Sequence, residues 1–406
     1  MDRIRKIIIF KGGVETLDYF LCQMGNEFVN QGCSVFSFDL KDAVHAARKV
    51  RKFIRSGETA LLTFNFEGLE REEGIYDPAG GYLWQEYQIP CFNITADHPY
   101  YYDNRFRELI EDDQRYPGLL QNYYHICIDR FHQSYVRTYY PEFREAEFLP
   151  LAGTDPCPGE PLPAMAERKS AVLFTGNYSH PSEFEENINW IDEEYAAFYR
   201  GIINELIAHP RKTVEEVEAA HCLRELGETK PQDLRLALHK MIFIDLYVRN
   251  DYRGRVAAEL ADHGIPVTVV GKGWEKLECA RRENLTILPQ TDSLTCLKLM
   301  REYKLALNVL PWFRDGAHDR IFNSILGGAV CLSDSNLYLQ EHLPEGTGVL
   351  YYSLQEIGRL CDMAEELLSN DKKLEEISRR GIALVKKEHT WAERANTWLY
   401  YANHIV

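Results

Sequence analysis

The sequence lacks the spacings by which proteins usually hold metals. It has no C-x-x-C pair, no His-x-x-x-His, no Asp-x-Asp and no Cys/His grid, so no metal-binding residues are expected. Its ten cysteines are scattered, several within apolar runs such as His125–Ile128. They read as reduced core thiols of a cytosolic protein rather than a disulfide frame. Also missing is any run of about eighteen apolar residues, the minimum for a membrane span. The start, MDRIRKIIIFKGG, carries a basic flank but an apolar run of only four residues, too short for a signal peptide. The expectation is a cytoplasmic protein with no transmembrane segment. Basic excess is lacking too: 62 acidic against 46 basic side chains leave a formal charge of −16. That argues against the broad positive surface needed for a phosphate backbone, and nucleic acid is not an expected partner. A local basic pocket for one diphosphate stays compatible with this charge. Internal repeats and low-complexity tracts are absent as well.

What is present is an ordinary globular composition, 45% apolar and 27% charged, over 406 residues. That length exceeds what one core usually organises, so two domains are expected. Short apolar runs at Ile7–Phe10, Ser34–Phe38, Ala60–Phe64, Pro90–Ile94, Tyr124–Ile128 and Glu147–Leu149 read as strands. Helix-length amphipathic stretches such as Val14–Gln31 and Asp42–Arg55 lie between them, which implies a parallel sheet covered on both faces. The segment Gly153–Pro163, with four prolines and two glycines, reads as a linker. Ala171–Phe174 then restarts a second sheet, continued by Ile265–Val270, Leu285–Leu288, Leu305–Val309, Ala329–Leu332 and Gly348–Tyr351. Helices are expected from Arg253, Ser293 and Arg320. Between 181 and 240 no strand is evident, only helical periodicity with a break at His209-Pro210, which reads as a helical insertion. The expected fold is α/β: two doubly wound, Rossmann-like domains facing a cleft. The first spans 1–152 and is completed by a C-terminal helix within 388–406, drawn from Thr390 to Ile405. The second spans 153–387 and carries the insertion.

Ligands of open parallel sheets bind beyond the carboxyl ends of the strands, so the loops there hold the candidate chemistry. The strongest constellation is ALNVLPWFRDGAHDRIFNSILGGAVCLSDSN, Ala306–Asn336. A strand runs into the polar loop Arg314–Asp319 and then a helix from Arg320, whose free N–H groups and dipole suit a diphosphate. His318 and Arg320 add donors, while Asp315 and Asn323, eight apart, can accept from sugar or ribose hydroxyls. The bland alternative is a loop capped by Asp319 with Asn323 buried against the sheet. In Tyr247–Arg253, Arg249 and Arg253 lie one helical turn apart; they serve either a diphosphate or ordinary salt bridges with Asp251 or Glu259. Gly271-Lys272-Gly273-Trp274 follows a strand, as where backbone passes close to a ligand, though tight turns use the same residues. In the first domain Gly12-Gly13 follows the first strand. Asp97-His98-Pro99 follows the fourth, where His98 is either a general base beside Asp97 or a helix cap. The tyrosine clusters at Tyr100–Tyr102, Tyr139-Tyr140 and Tyr351-Tyr352 either line a carbohydrate site or pack.

The pattern of strand, glycine-containing polar loop, Arg320-x-Phe322, Gly327-Gly328-Ala329-Val330 and the pair Ser333-Asp334 resembles the group-1 glycosyltransferases, and within them the CgeB-like branch. The resemblance covers Ala171–Phe174 and Met241–Val406, and more loosely Asp97–Pro99 and Ile126–Pro150. It implies the GT-B fold and a nucleoside diphosphate sugar, a UDP-sugar first, held mainly by the second domain. By resemblance the donor lies against Gly176, Asn177, Arg249, Gly271, Lys272, Gly273, Trp274 (a wall for the base or, equally, core), Asp315, Gly316, His318, Asp319 and Asn323, and Gly12 and Gly13 join the donor contacts by topology. Asp97, His98, Arg253 and Arg320 are the catalytic candidates. No cofactor is implied, and basic side chains with helix dipoles stand in for a metal. Where the superfamily has two glutamates eight apart, this chain has Asp315 and Asn323.

The expected activity is therefore metal-independent transfer of a sugar from a nucleoside diphosphate to an acceptor, either a protein or a surface glycan. Two rivals accompany it. One is sugar-nucleotide epimerisation, which needs a pair of acid/base carboxylates. The other is a non-catalytic GT-B module that binds a nucleotide sugar or a protein partner, with the insertion as partner surface and a possible homodimer through it.

Overall fold

The computed structural model describes residues 4–404 and divides into two compact units. One runs to Ala152 and resumes at His389; the other is Gly153–Glu388. Ile405, where the last helix was expected to end, lies outside the described residues.

The first unit contains β1 (Lys6–Lys11), β2 (Ser34–Asp39), β3 (Thr59–Phe64), the two-residue strands β4 (Tyr76–Asp77) and β5 (Gly81–Tyr82), β6 (Cys91–Thr95), β7 (Tyr123–Cys127) and β8 (Glu147–Phe148). Six of them form a wholly parallel sheet in the order β2-β1-β3-β6-β7-β8. β3, β6 and β7 are buried along their whole length, which is why they read as mostly apolar runs rather than as a polar–apolar alternation. The Trp391–His404 helix belongs to this unit. Trp391 packs on Phe20 and Trp398 on Phe28 at centroid separations of 4.8 and 5.0 Å. The buried Arg394 donates from Nε to the Pro150 carbonyl at 2.7 Å. The small β4–β5 hairpin escaped the sequence pattern because two-residue strands have no periodicity to detect.

The second unit contains β9 (Lys169–Thr175), β10 (Val267–Val270), β11 (Leu285–Leu288), β12 (Tyr303–Asn308), β13 (Val330–Asp334) and β14 (Val349–Tyr352). They form one parallel sheet, β11-β10-β9-β12-β13-β14. The order reverses between β9 and β12, so the carboxyl ends of these two strands mark the switch point where such sheets take their ligands.

Between β9 and β10 the chain is helical. Its main helices are Glu193–Ala208, Val214–Leu226, Pro231–Lys240 and Ile242–Asp262. The first of these ends just before His209-Pro210, because the ring of Pro210 and its missing N–H cannot continue a helix. One boundary differs from expectation. The helix expected from Arg253 begins at Ile242 and runs 21 residues. Ile244, Val248, Tyr252, Val256 and Leu260, four apart and all buried, carry a helical stripe straight through the apolar run. Arg249 and Arg253 therefore sit inside this helix, not at its start. Among the described residues no helix is long and apolar enough to cross a membrane. All ten cysteines are free.

Candidate functional site

Three strand ends converge at the switch point of the second unit. Gly176 and Asn177 follow β9, Gly271–Trp274 follow β10, and the 311–318 loop follows β12 and leads into the Asp319–Leu326 helix. The first two loops are locked together by hydrogen bonds that each have a backbone partner. Tyr178 N donates to the Lys272 carbonyl at 2.9 Å, Lys272 N donates to Asn177 Oδ1 at 3.0 Å, and Trp274 Nε1 donates to the Gly176 carbonyl at 2.7 Å. Gly271 and Gly273 have φ of 147° and 84°, and a Cβ on either would collide with a carbonyl oxygen, that of Gly176 or Tyr178. The close approach that demands glycine here is thus to a neighbouring loop. Trp274 is fully buried, stacked on Tyr178 at 4.9 Å and edge-on to Phe174 at 5.4 Å. Of its two readings, a wall for the base or a core residue, this burial fits the core. Lys272 is exposed at the loop tip.

Arg320 lies beneath this junction. It is 9% exposed; its Nη1 donates to Asn308 Oδ1 at 3.0 Å, and its guanidinium carbon sits 5.2 Å from the centre of the Phe174 ring. A Cβ on Gly176 would come within 3.2 Å of its Nη2. Among the described residues no carboxylate forms an ion pair with it. Burial pushes its pKa down, and the opposing pull of Asp319 does not restore it. A buried guanidinium without a carboxylate partner is costly, and an anion at the adjoining loop would relieve that cost. Asn308, fully buried at the end of β12 and also bonded to Ser333 Oγ at 2.9 Å, aims this guanidinium. It was missed as a site residue because a strand-end asparagine has no motif of its own.

His318 caps the Asp319–Leu326 helix, its Nδ1 accepting from Arg320 N at 3.2 Å and lying 2.7 Å from Asp319 Oδ1. The cap is therefore His318 and not Asp319. Burial lowers the His318 pKa; Asp319 opposes this, while Arg320 and Arg253 reinforce the lowering. For Asp319 burial acts upward, but His318 and Arg320 outweigh it and the carboxyl is held below its usual range. Arg253 donates from Nη1 to the Asn177 carbonyl at 3.1 Å. It thereby reaches from its helix to the β9 loop, close enough to His318 to bear on that titration.

Other expected ligands are already occupied. Arg249 is bidentate on the buried Asp245 of its own helix, with Nη2 at 2.9 Å from each oxygen. The salt-bridge alternative describes it, with Asp245 as the partner in place of Asp251 or Glu259. Asn323 Oδ1 accepts from Thr154 N at 2.8 Å and its Nδ2 donates to Asp319 Oδ2 at 2.8 Å. It braces the linker against the helix, and the carboxylates of this turn are Asp315 and Asp319, four apart rather than eight. The loop holding Asp315 and Gly316 is pinned by Asn336, whose Nδ2 donates to the carbonyls of Phe313 (3.0 Å) and Gly316 (2.8 Å). Asn336 was also missed.

Gly12, Gly13, Asp97 and His98 belong to the first unit, at the carboxyl ends of β1 and β6. Gly12 N donates to Asp18 Oδ2 at 2.8 Å, and Glu67, just after β3, accepts from Val14 N at 2.6 Å. Burial raises the Glu67 pKa; the Val14 bond opposes this and Asp18 reinforces it. Asp97 Oδ2 accepts from Tyr102 Oη at 3.0 Å and Asn65 Nδ2 at 3.3 Å. His98 is buried, its Nδ1 accepting from Tyr100 N at 3.2 Å, its ring stacked on Tyr100 at 3.9 Å and edge-on to His132 at 4.5 Å. The cap alternative describes it, and a buried ring committed to these contacts is poorly placed as a general base. Glu67, half-buried at the β1–β3 switch point, is the better-placed carboxylate of this unit, and nothing in its local sequence marks it.

Residues 253–400 match a family described as "Glycosyl transferase-like". That is less than half of the chain, but it includes Arg253, the β10 loop and the whole β12–helix–β13 constellation. No curated relative matches the chain in sequence. Among solved structures, an alpha-glucosyltransferase in complex with UDP-glucose and DNA containing an abasic site is similar over 98% of this chain and 99% of its own, with 10% identity and a TM-score of 0.54. Sucrose-phosphate synthase from Thermosynechococcus elongatus is similar over 99% of both chains, at 10% identity and a TM-score of 0.51. The chain thus has the two Rossmann-like domains of the GT-B glycosyltransferases. The CgeB-like assignment gains no support from these matches. Nor does the exclusion of nucleic acid, since a protein of this fold is bound to DNA.

Proposed function

We propose that this protein transfers a glycosyl group from a nucleoside diphosphate sugar, a UDP-sugar first among donors, to an acceptor held by its first unit. The observation that carries the reading is Arg320: a buried guanidinium, in no ion pair with a carboxylate among the described residues, under the switch point and beside the start of the Asp319–Leu326 helix. The diphosphate lies along Gly176-Asn177 against Arg253 and Arg320, with Lys272 free to close on it. Charge developing on the departing diphosphate is met by these cations and the helix dipole, fixed in place before reaction, without a metal. His318, at the helix start, and Asp315 meet the hydroxyls of the sugar. On the acceptor side Glu67 and Asp97 are the carboxylates able to accept a hydroxyl proton. The acceptor is a glycan or protein, and the reaction takes place in the cytoplasm.

The non-catalytic reading drew on Asn323. Because Asn323 braces Thr154 and Asp319, its lack of charge does not signify a lost catalytic carboxylate. A homodimer through the helical insertion is part of the proposal, supported by the exposure of Trp190, Ile191 and Tyr195; sedimentation of wild type and Trp190→Ser tests it. The central experiment is a panel of UDP-, GDP- and dTDP-sugars, scored by melting temperature and by hydrolysis or transfer, on wild type, Arg253→Ala and Arg320→Met. Stabilisation by one nucleotide class that both variants lose supports the reading. No binding to any donor, with variants indistinguishable from wild type, sinks it.

A further inference from the structure

Away from the β9–β12 junction, a cavity of about 380 Å³ opens at the carboxyl ends of β13 and β14, against the turn that ends the Glu193–Ala208 helix. Its lining includes Arg211, Arg314, Asp334, Ser335, Gln355 and Arg359, of which Arg314 alone lies on a loop of the donor site described above. Pockets of this size hold small metabolites.

The charges around it are arranged in two groups. Arg211 and Arg359 are exposed at its mouth, and Arg359 pairs among the described residues with Glu356, three residues before it, at 3.1 Å. An exposed pair of that kind is weak and yields readily to a stronger anion. Deeper, Asp334 Oδ1 accepts from Leu310 N at 2.6 Å. Neither Arg211 nor Asp334 has an ion-pair partner among the described residues. The wall between is stiff: Arg314 Nη2 donates to the Pro210 carbonyl at 2.7 Å and to that of Lys212, clamping the insertion turn to the β12 loop. Ser335 and Gln355 add neutral polar groups, and the Tyr351 and Tyr352 rings form an apolar side.

Two guanidinium groups at a mouth suit a phosphate, which arginine can grip in bidentate fashion. A carboxylate with a serine behind them suits hydroxyl donors. We propose that this cavity binds a sugar phosphomonoester, its phosphate on Arg211 and Arg359 and its hydroxyls on Asp334 and Ser335. The inference does not depend on the transfer reading, since it uses none of the donor-site side chains.

Titration calorimetry on the full chain tests it, with glucose 6-phosphate, glucose and inorganic phosphate as probes. The expected result is one saturable site for glucose 6-phosphate, with glucose or phosphate alone at least roughly tenfold weaker, a loss of about 1.4 kcal/mol or more. The doubly exposed change Arg211→Glu with Arg359→Glu abolishes binding while UDP still raises the melting temperature as in wild type. Asp334→Asn weakens glucose 6-phosphate and leaves inorganic phosphate unchanged. Absence of saturable binding overturns the proposal. So does equal affinity for inorganic phosphate, binding that survives the double reversal, or displacement by UDP, which would place the ligand in the donor site.

Discussion

Replacing Arg320 by methionine separates a ligand-binding arginine from a structural one. In the unliganded protein two terms oppose. Removing a buried cation that lacks a carboxylate partner relieves a desolvation cost, and apolar replacements of buried ions are often neutral or stabilising. Against this, Asn308 Oδ1 loses the donor now 3.0 Å away, and an orphaned buried acceptor costs about 1–3 kcal/mol. The net change in unfolding free energy should therefore stay within about 2 kcal/mol of zero. Binding has no such cancellation. A charge-assisted hydrogen bond to a diphosphate contributes about 1.5–3 kcal/mol, which corresponds to a loss of roughly 10- to 150-fold in nucleotide affinity. Urea unfolding without ligand and calorimetric titration with UDP measure the two quantities on the same preparation. A variant that loses more than about 4 kcal/mol of stability yet binds UDP as tightly as wild type would refute the reasoning, because Arg320 would then be a structural residue.

Three further outcomes follow from the same geometry. Gly273→Ala should cost at least about 2 kcal/mol, because φ of 84° is strained for alanine and its Cβ would strike the Tyr178 carbonyl; unchanged thermal stability would contradict the locked-loop description. Glu218 is fully buried with neither carboxylate oxygen hydrogen-bonded, and burial holds its pKa well above the usual range. Glu218→Leu should accordingly stabilise by about 1–3 kcal/mol at neutral pH and by more in alkali, and a destabilised variant would show an overlooked role for the acid. Burial pushes the Asp334 carboxyl up from the ordinary aspartate range to about 7. The folded state therefore keeps a proton that the unfolded chain has released, so stability present at low pH is lost as pH rises from about 4 to about 7. Urea unfolding at pH 5 and pH 8 should show this decline in wild type and a smaller one in Asp334→Asn; equal declines would exclude Asp334 as its source.

Much of the fold was legible because buried parallel strands leave a simple trace: short apolar runs separated by helix-length segments. Every long strand of both sheets was visible in that way, from Ile7–Phe10 to Gly348–Tyr351, as was the helical stretch with its break at Pro210. The helix through Met241–Leu246 was harder, since a short apolar run has no period of its own. Only the buried stripe from Ile244 to Leu260 resolves it. The candidate site was legible at the level of loops, because strand ends are where such sheets take ligands. The individual roles were not, since they depend on which neighbour reaches a side chain first.

Adjacency along the chain thus placed Arg249, Arg253, Trp274, His318, Arg320 and Asn323 at strand ends and helix turns. Only the tertiary structure decided that Asp245 takes Arg249, that Tyr178 covers Trp274, that Thr154 and Asp319 share Asn323, and that Arg320 meets Asn308 and the Phe174 ring. The physical reason is that local sequence sets backbone propensity and the period of burial, whereas hydrogen bonds and charge pairs form between residues brought together from separate segments. Glu67 and Asn308 show the same division: neither has a motif, and both acquire their place from the strand beside them.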